Sequence, residues 1–131
     1  MLSKLNVFQL SYAMASHAGK RQALISQNIA NADTPGYRAR DLVPFTSQFT
    51  MSESEKSGGM VGTRANHLHG SSGAVGKWAE ITAKGQLDPS ENSVSIETEM
   101  LRATEAKRQH DRALAIYKSS LNVLRASLGR S

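Results

Sequence analysis

Apolar residues recur with helical spacing near the start of the chain. Between Phe8 and Asn31, alternating steps of four and three residues connect a heptad-like stripe of mixed apolar and polar side chains. Its members are Leu10, Met14, His17, Arg21, Leu24, Asn28 and Asn31. A neighbouring stripe of mainly small and branched residues widens this face and consists of Phe8, Ala15, Ala18, Ile25, Ile29 and Ala32. The pattern predicts an N-terminal amphipathic helix over 1–32.

A turn signal follows this helix at Asp33, Thr34, Pro35 and Gly36. Pro35 has no backbone N–H and biases Thr34 away from helical geometry, while Gly36 tolerates the positive φ of a type II turn. The residues after the turn are expected to run extended, with a short strand-like stretch. We therefore assign 33–50 to a turn and an extended segment.

The middle of the chain, 51–92, holds seven of the ten glycines, with much Ser, Thr and Asn between them. Such a composition buries too little apolar surface to offset the entropy of ordering. It predicts a weakly structured middle segment. Within it, Val75, Trp78 and Ile81 suggest either a small hairpin or a patch that docks on a neighbouring molecule.

The strongest periodicity lies in the second predicted helix, α2, at the C-terminus over 93–131. Asp88 as cap, Pro89 at the first helical position and Glu91 in a capping box suggest one start, and Ser93 is an equally good one. A four-three alternation predicts a packing stripe on this helix, which we call the α2 seam. Its apolar members are Ile96, Met100, Ala103, Leu114, Tyr117, Leu121, Leu124 and Leu128, and its polar members are Lys107 and His110.

The predicted fold is mainly α and forms one structural domain. Two long terminal helices make a coiled-coil-like pair, joined by the extended segment and the weakly structured middle. The middle segment offers little apolar surface that could cover either helix. We therefore expect the helices to pair with each other and with other copies. Polar positions in both stripes predict that the helices become fully ordered only on assembly.

Composition leaves several partner classes open. The chain has 131 residues, 39% apolar, with a formal charge of +5, which suits nucleic acid, an anionic membrane or an acidic protein partner. It contains no cysteine and no apolar run long enough for a transmembrane helix. Asn6, Gln9 and Ser11 interrupt what would have to be the apolar part of a signal peptide, so we read the start as mature sequence.

Candidate chemistry is sparse. His67 and His69 form an H-x-H pair that would suit a metal if it lay on a strand, but no carboxylate or third histidine lies nearby in sequence. We therefore expect two solvated loop histidines and no metal site. His17 and His110 fall on helical stripes, where packing is the expected role. No nucleotide-binding or nucleophile motif occurs, so we expect no catalysis, cofactor or small-molecule substrate. A small basic helical dimer that binds nucleic acid is the alternative function.

One segment stands out, the run NIANADTPGYRARD at 28–41. In one reading it is an ordinary helix end, with Asn31 as a cap. In the other, Asn28 and Asn31 hydrogen-bond to a partner or back to the turn and fix register. The run resembles the N-x-x-N-x-x-T-P-G-Y signature of the flagellar basal-body rod, hook and hook-junction proteins.

Further residues resemble the smallest, proximal class of rod proteins. They are the run Arg38–Asp41, Phe45, Thr63, His67, Leu68, Asn92, Val94, Glu97, Glu99 and Met100. The segment 107–111 departs from the distal-rod and hook pattern, and the chain has no room for their inserted β domains.

The resemblance implies a structural subunit of the proximal rod in the bacterial flagellar basal body. It implies type III export without a cleaved signal peptide, helical assembly in the periplasm and transmission of torque. The implied partners are other rod subunits, copies of itself, and export and MS-ring components. The residues expected to form the assembly motif are Asn28, Ile29, Asn31, Thr34, Pro35, Gly36, Tyr37 and Arg38.

Overall fold

A computed structural model of the chain describes residues 2–47, 78–83, 85 and 87–129. Helix α1 spans Leu2–Ala30 and helix α2 spans Ile96–Leu128. Strands β1, Arg40–Leu42, and β2, Glu80–Thr82, pair antiparallel, with Asp41 opposite Ile81. The two long terminal helices pack on each other, which confirms the mainly α fold and the paired helices. No helix in the described ranges is long and apolar enough to span a membrane.

Helix α1 buries the face that its pattern predicts. All seven members of the first stripe are buried or half-buried, and Asn28 is completely so. Leu24 and Ile25, each 3% exposed, supply most of the large apolar surface there. Much of the remaining core consists of alanines, which allow the backbones of the two helices to approach closely.

Helix α2 turns a different face towards α1 from the one its periodicity suggests. The buried residues are Glu99, Ala106 and Ala113, each one position before a member of the α2 seam. One residue corresponds to a rotation of about 100° around a helix. The seam residues Ile96, Met100, Leu114, Tyr117 and Leu128 are therefore 41–64% exposed, and Leu121 and Leu124 are half-buried. Small alanines and a polar contact at Glu99 determine which face lies inside.

The start of α2 corrects one sequence expectation. Ser95 is the N-cap, and its hydroxyl accepts a hydrogen bond from the Thr98 N–H. Asp88 does not cap the helix. Its Oδ1 instead accepts hydrogen bonds from the Ser90 and Asn92 N–H groups, which stabilises a turn ahead of the helix. Pro89 lies in that turn and not at the first helical position.

The described part of the middle segment is tied to the rest of the chain. Ile81 pairs with β1 and not within a local hairpin. The Trp78 ring lies edge-on to His17, with centroids 5.0 Å apart, and its Nε1 donates to Ser16 Oγ over 3.3 Å. Trp78 thus docks on α1 of its own chain. Thr63, His67, Leu68, His69 and Val75 lie outside the described residues.

Candidate functional site

The turn at 31–37 folds back on itself at the end of α1. Gly36 has a φ of 75°, and the Tyr37 N–H donates to the Thr34 carbonyl over 3.3 Å. The predicted positive φ at Gly36 is therefore confirmed. The Gly36 N–H donates to the Ser90 carbonyl over 3.0 Å, so the turn is held against the segment that leads into α2.

Asn31 closes the end of α1. Its Nδ2 donates to the Gln27 carbonyl over 2.8 Å, and its Oδ1 accepts from Thr34 Oγ1 over 3.2 Å. It gives a second donor to a carbonyl of the last turn, which also accepts the Asn31 N–H, and it ties the turn to the helix. This is the helix-capping role, combined with a bond back to the turn.

Asn28 uses its whole amide inside the molecule. Its Nδ2 donates to the Arg40 carbonyl (2.8 Å) and to Glu99 Oε2 (3.1 Å). Its Oδ1 accepts from Tyr37 Oη (3.0 Å) and from the Arg40 N–H (3.1 Å). One side chain of α1 thus fixes the chain after the turn and the first turns of α2. A fully satisfied buried amide of this kind favours one register of the packed elements.

Asn92 holds the turn from the other side. Its Nδ2 lies 2.8–2.9 Å from the carbonyl oxygens of Asn31, Ala32 and Thr34. The next residue, Ser93, donates its N–H to the Tyr37 carbonyl and accepts the Ala39 N–H at Oγ. Periodicity could not have found these two residues, because they lie in an irregular segment. We call the assembly of Asn28, Asn92, Ser93, Glu99 and the turn 31–37 the junction.

Ion pairs extend the junction between α1, β1 and α2. Arg21 binds both carboxylate oxygens of Asp41, at 2.9 and 3.1 Å, and reaches Glu105 at 3.4 Å. Arg102 contacts Glu99 at 2.6 Å and Asp41 at 3.8 Å. Burial by itself lowers the pKa of Arg21, but the hydrogen bonds and charges of Asp41 and Glu105 outweigh it and raise that pKa. Arg102 is thus the cationic partner of the buried Glu99 carboxylate.

A second set of polar contacts joins α1 to the chain after β1 and to α2. It lies nearer the N-terminus of α1 than the junction does. The buried His17 lies with Nε2 2.8 Å from the Val43 carbonyl and Nδ1 3.0 Å from Gln109 Nε2. A carbonyl only accepts and an amide nitrogen only donates, so the neutral ring with its proton on Nε2 fits this site. Burial lowers the pKa of His17, and the charge of Arg21 lowers it further. The hydrogen bond to Val43 and the charge of Asp41 raise this pKa, but they do not offset the lowering. His17 thus has the packing role expected of it.

The remaining predicted motif residues face outwards. Ile29 is 40% exposed, and Thr34, Pro35 and Arg38 are exposed at the tip of the turn. The motif thus divides into buried residues at the centre of the junction and exposed residues at its surface, of which Thr34 also donates its hydroxyl to Asn31. The exposed members of the α2 seam, among them Met100 and Leu114, add further apolar surface.

The arrangement is suited to holding elements together. No buried side-chain nitrogen or oxygen in the described part of the chain is without a hydrogen-bond partner. The same residues include no group of three His, Asp or Glu side chains placed to hold a metal ion. The site's chemistry is a set of satisfied amides and ion pairs.

Comparison with known proteins bears on the same region. A family model described as flagella basal body rod protein matches residues 15–38, the end of α1 and the turn. The flagellar basal body rod protein FlgB of Agrobacterium fabrum is 30% identical over 121 residues, which cover 90% of this chain and 89% of that protein. The Salmonella typhimurium FlgB is 31% identical over 110 residues, 78% of each chain. The Proteus mirabilis FlgB is 51% identical over 43 residues, 32% of this chain and 31% of that protein.

Proposed function

Because this chain belongs to the FlgB family of flagellar basal body rod proteins, and is thus a structural subunit of that rod, we propose that it forms the proximal rod through its exposed α2 seam. It assembles with other rod components at the basal body. None of the relatives named above is a nucleic-acid-binding protein by name, and the alternative of a DNA- or RNA-binding dimer has no support.

One observation carries the assembly proposal. The α2 seam has the strongest heptad-like periodicity in the chain, yet α1 covers the adjacent face and leaves Met100 and Leu114 61% and 41% exposed. An apolar helical face of this length is a normal place for another helix to pack. Neighbouring subunits are the proposed cover, in heterologous contacts that continue as a helix.

The junction supplies the stiffness that a torque-transmitting rod requires. Asn28 and Glu99 connect α1 to α2, and Arg21 and Asp41 connect α1 to β1. Fully satisfied buried networks rigidify the elements they join. We assign the junction the role of holding the helix pair in one register while neighbours load it. No catalytic activity or cofactor forms part of this proposal.

The cellular location and the export route of the subunit are proposed from its membership in the same family. The subunit would stand in the periplasmic part of the basal body, next to export and MS-ring components, after type III export without signal-peptide cleavage. Polar Gln9 and Ser11 lie within α1, and Ser11 Oγ donates to the Phe8 carbonyl. Mass spectrometry of the N-terminal peptide from purified basal bodies tests this, because cleavage within α1 would contradict it.

The test of assembly compares two double variants in cells. Met100→Glu with Leu114→Glu places charges on the seam, and Ala115→Glu with Ser119→Glu places them on an exposed face outside it. We expect the seam variant to keep its helical circular dichroism but to fall roughly tenfold in purified basal bodies, because buried apolar contacts carry assembly. The control should incorporate normally. Equal incorporation of both variants would refute the seam's role.

A further inference from the structure

A shallow apolar groove lies between the N-terminal part of α1 and the C-terminal part of α2. Phe8 and Tyr117 meet edge to face in it, with ring centroids 5.3 Å apart. Tyr12 and Leu121 also line the groove, which has a volume of about 490 Å³. Tyr12 is 67% and Tyr117 45% exposed. Contiguous exposed aromatic surface is a common feature of interaction sites.

The charge on the C-terminal half of α2, which forms one wall of this groove, is one-sided. From residue 106 onwards, the described part of α2 carries a single acidic residue and the basic residues Lys107, Arg108, Arg112, Lys118 and Arg125. By helical spacing, Lys118 and Arg125 lie on the face that also carries Leu114 and Leu121. The groove is therefore apolar along its length and positive along its edge.

These cations differ from those at the junction. Arg21, Arg40 and Arg102 all form ion pairs within the chain. No ion pair within the described ranges includes Lys118 or Arg125. Within the described residues, carboxylates lie beside the cations of the junction, whereas none pairs with Lys118 or Arg125. Unpaired cations beside an apolar surface favour an acidic, partly apolar partner.

We propose that this groove docks an acidic amphipathic helix of a neighbouring rod subunit. Apolar side chains of that helix enter between Tyr12 and Tyr117, and its carboxylates pair with Lys118 and Arg125. The proposal rests on the function proposed above. The first turn of α2 illustrates the required chemistry, since exposed Ile96 and Met100 flank the exposed carboxylate of Glu97.

A helix fits this surface better than nucleic acid does. Phosphates would use Lys118 and Arg125 but would leave the Phe8 and Tyr117 rings uncovered. The Phe8 and Tyr117 rings stand at 70° to each other, so they do not form the parallel platform on which successive bases stack. A helix with apolar and acidic residues one turn apart satisfies both parts of the surface.

The first arm of the test uses matched charge reversals. Lys118→Glu with Arg125→Glu reverses the edge of the groove, and Arg108→Glu with Arg112→Glu makes the same change on another face of α2. Circular dichroism and urea unfolding establish that both variants fold. We expect the groove variant to fall about tenfold in purified basal bodies and the control to change less than about twofold, because like charges across an interface repel.

The second arm places a photoreactive amino acid at Gln9, an exposed residue that lines the groove. Irradiation of assembled basal bodies should attach it to a helical segment of a rod subunit that has Asp or Glu within one turn of the adduct. An adduct with nucleic acid, an adduct in a segment without carboxylates, no adduct from incorporated protein, or equal incorporation of both variants would overturn the proposal. Absence of even the wild-type protein from basal bodies would instead refute the proposed function.

Discussion

The Nδ2 of Asn28 lies 3.1 Å from Oε2 of Glu99, and these two residues, 71 positions apart in sequence, have no exposed surface. The contact joins the last turns of α1 to the first turns of α2. It also explains which face of α2 lies inside. A carboxylate is a poor core residue unless it is paired, and here Asn28 and Arg102 supply its partners.

Asn28→Ala should lower the free energy of unfolding by about 3 kcal/mol. It removes both partners of the Arg40 backbone, the hydrogen-bond partner of Tyr37 and one partner of Glu99. Urea unfolding of the full chain measures the change. Ser26→Ala, at an exposed position on the same helix, is the control and should change stability little. Equal stability of the two variants would show that the junction does not hold the helices together.

Gly36→Val should destabilise the turn through its backbone alone. The φ of 75° disfavours a β-branched side chain, although a Cβ there would meet no atom within 4 Å. We expect a loss of roughly 1–3 kcal/mol, a misdirected Tyr37 and poor motility with export largely intact.

Gly19→Ala is the matched control for Gly36. Gly19 is helical and also has open space around it, so the change should stabilise α1 by roughly 0.5–1 kcal/mol. Urea unfolding compares the two, and swimming assays follow motility. A fully motile and fully stable Gly36→Val strain would contradict the role of the positive φ.

Stability should fall in mild acid because of His17. Its pKa in the folded chain is lowered from about 6.5, so the folded state binds its proton less readily than the unfolded state. The contribution is complete above pH 6.5 and is lost as the pH falls towards the lowered pKa, with a slope of up to about 1.4 kcal/mol per pH unit. Unfolding in urea between pH 7.5 and pH 5 measures it.

His17→Gln provides the reference for that measurement. Glutamine does not titrate, so this variant should be less stable at pH 7.5 but show a smaller loss on acidification. Asp88 also has a lowered pKa, through its bonds from Ser90 and Asn92, but it titrates at lower pH. Identical pH profiles for the variant and the wild type would exclude His17 as the source.

The helices, the turn and the inner face of α1 could be predicted from sequence because each has a local signal. The pairing of Asp41 with Ile81 could not, since the strands are three residues long and a long segment separates them. The face that α2 turns towards α1 could not be predicted from periodicity either, because periodicity detects the spacing of large apolar residues. Here alanines and Glu99 lie inside, whereas Leu114 and Leu128 are exposed and Leu121 and Leu124 are half-buried.

The motif Asn28–Tyr37 illustrates the same limit at the candidate site. Its specific spacing indicated a family and a role in fixing register. The sequence did not show that Asn28 acts within its own chain while Thr34 and Pro35 face outwards. That division depends on Asn92 and Ser93, whose positions follow from tertiary structure alone.

In the dilute subunit, we expect the helix α2 to be less stable against local opening towards its C-terminal end. Its buried residues end at Ala113, and beyond that point contact with α1 depends on half-buried side chains such as Leu121 and Leu124. The sequence expectation that both helices order fully only on assembly stays a prediction, but the partnered Arg21 and Asn28 favour restricting it to this C-terminal part.

Amide hydrogen exchange should give residues 118–128 opening free energies below about 1 kcal/mol, and residues 99–113 values higher by roughly 2 kcal/mol or more. Incorporation into basal bodies should abolish the difference, because neighbouring helices then cover the exposed seam. Uniform protection along α2 in dilute solution would mean that the helix pair is complete without its neighbours.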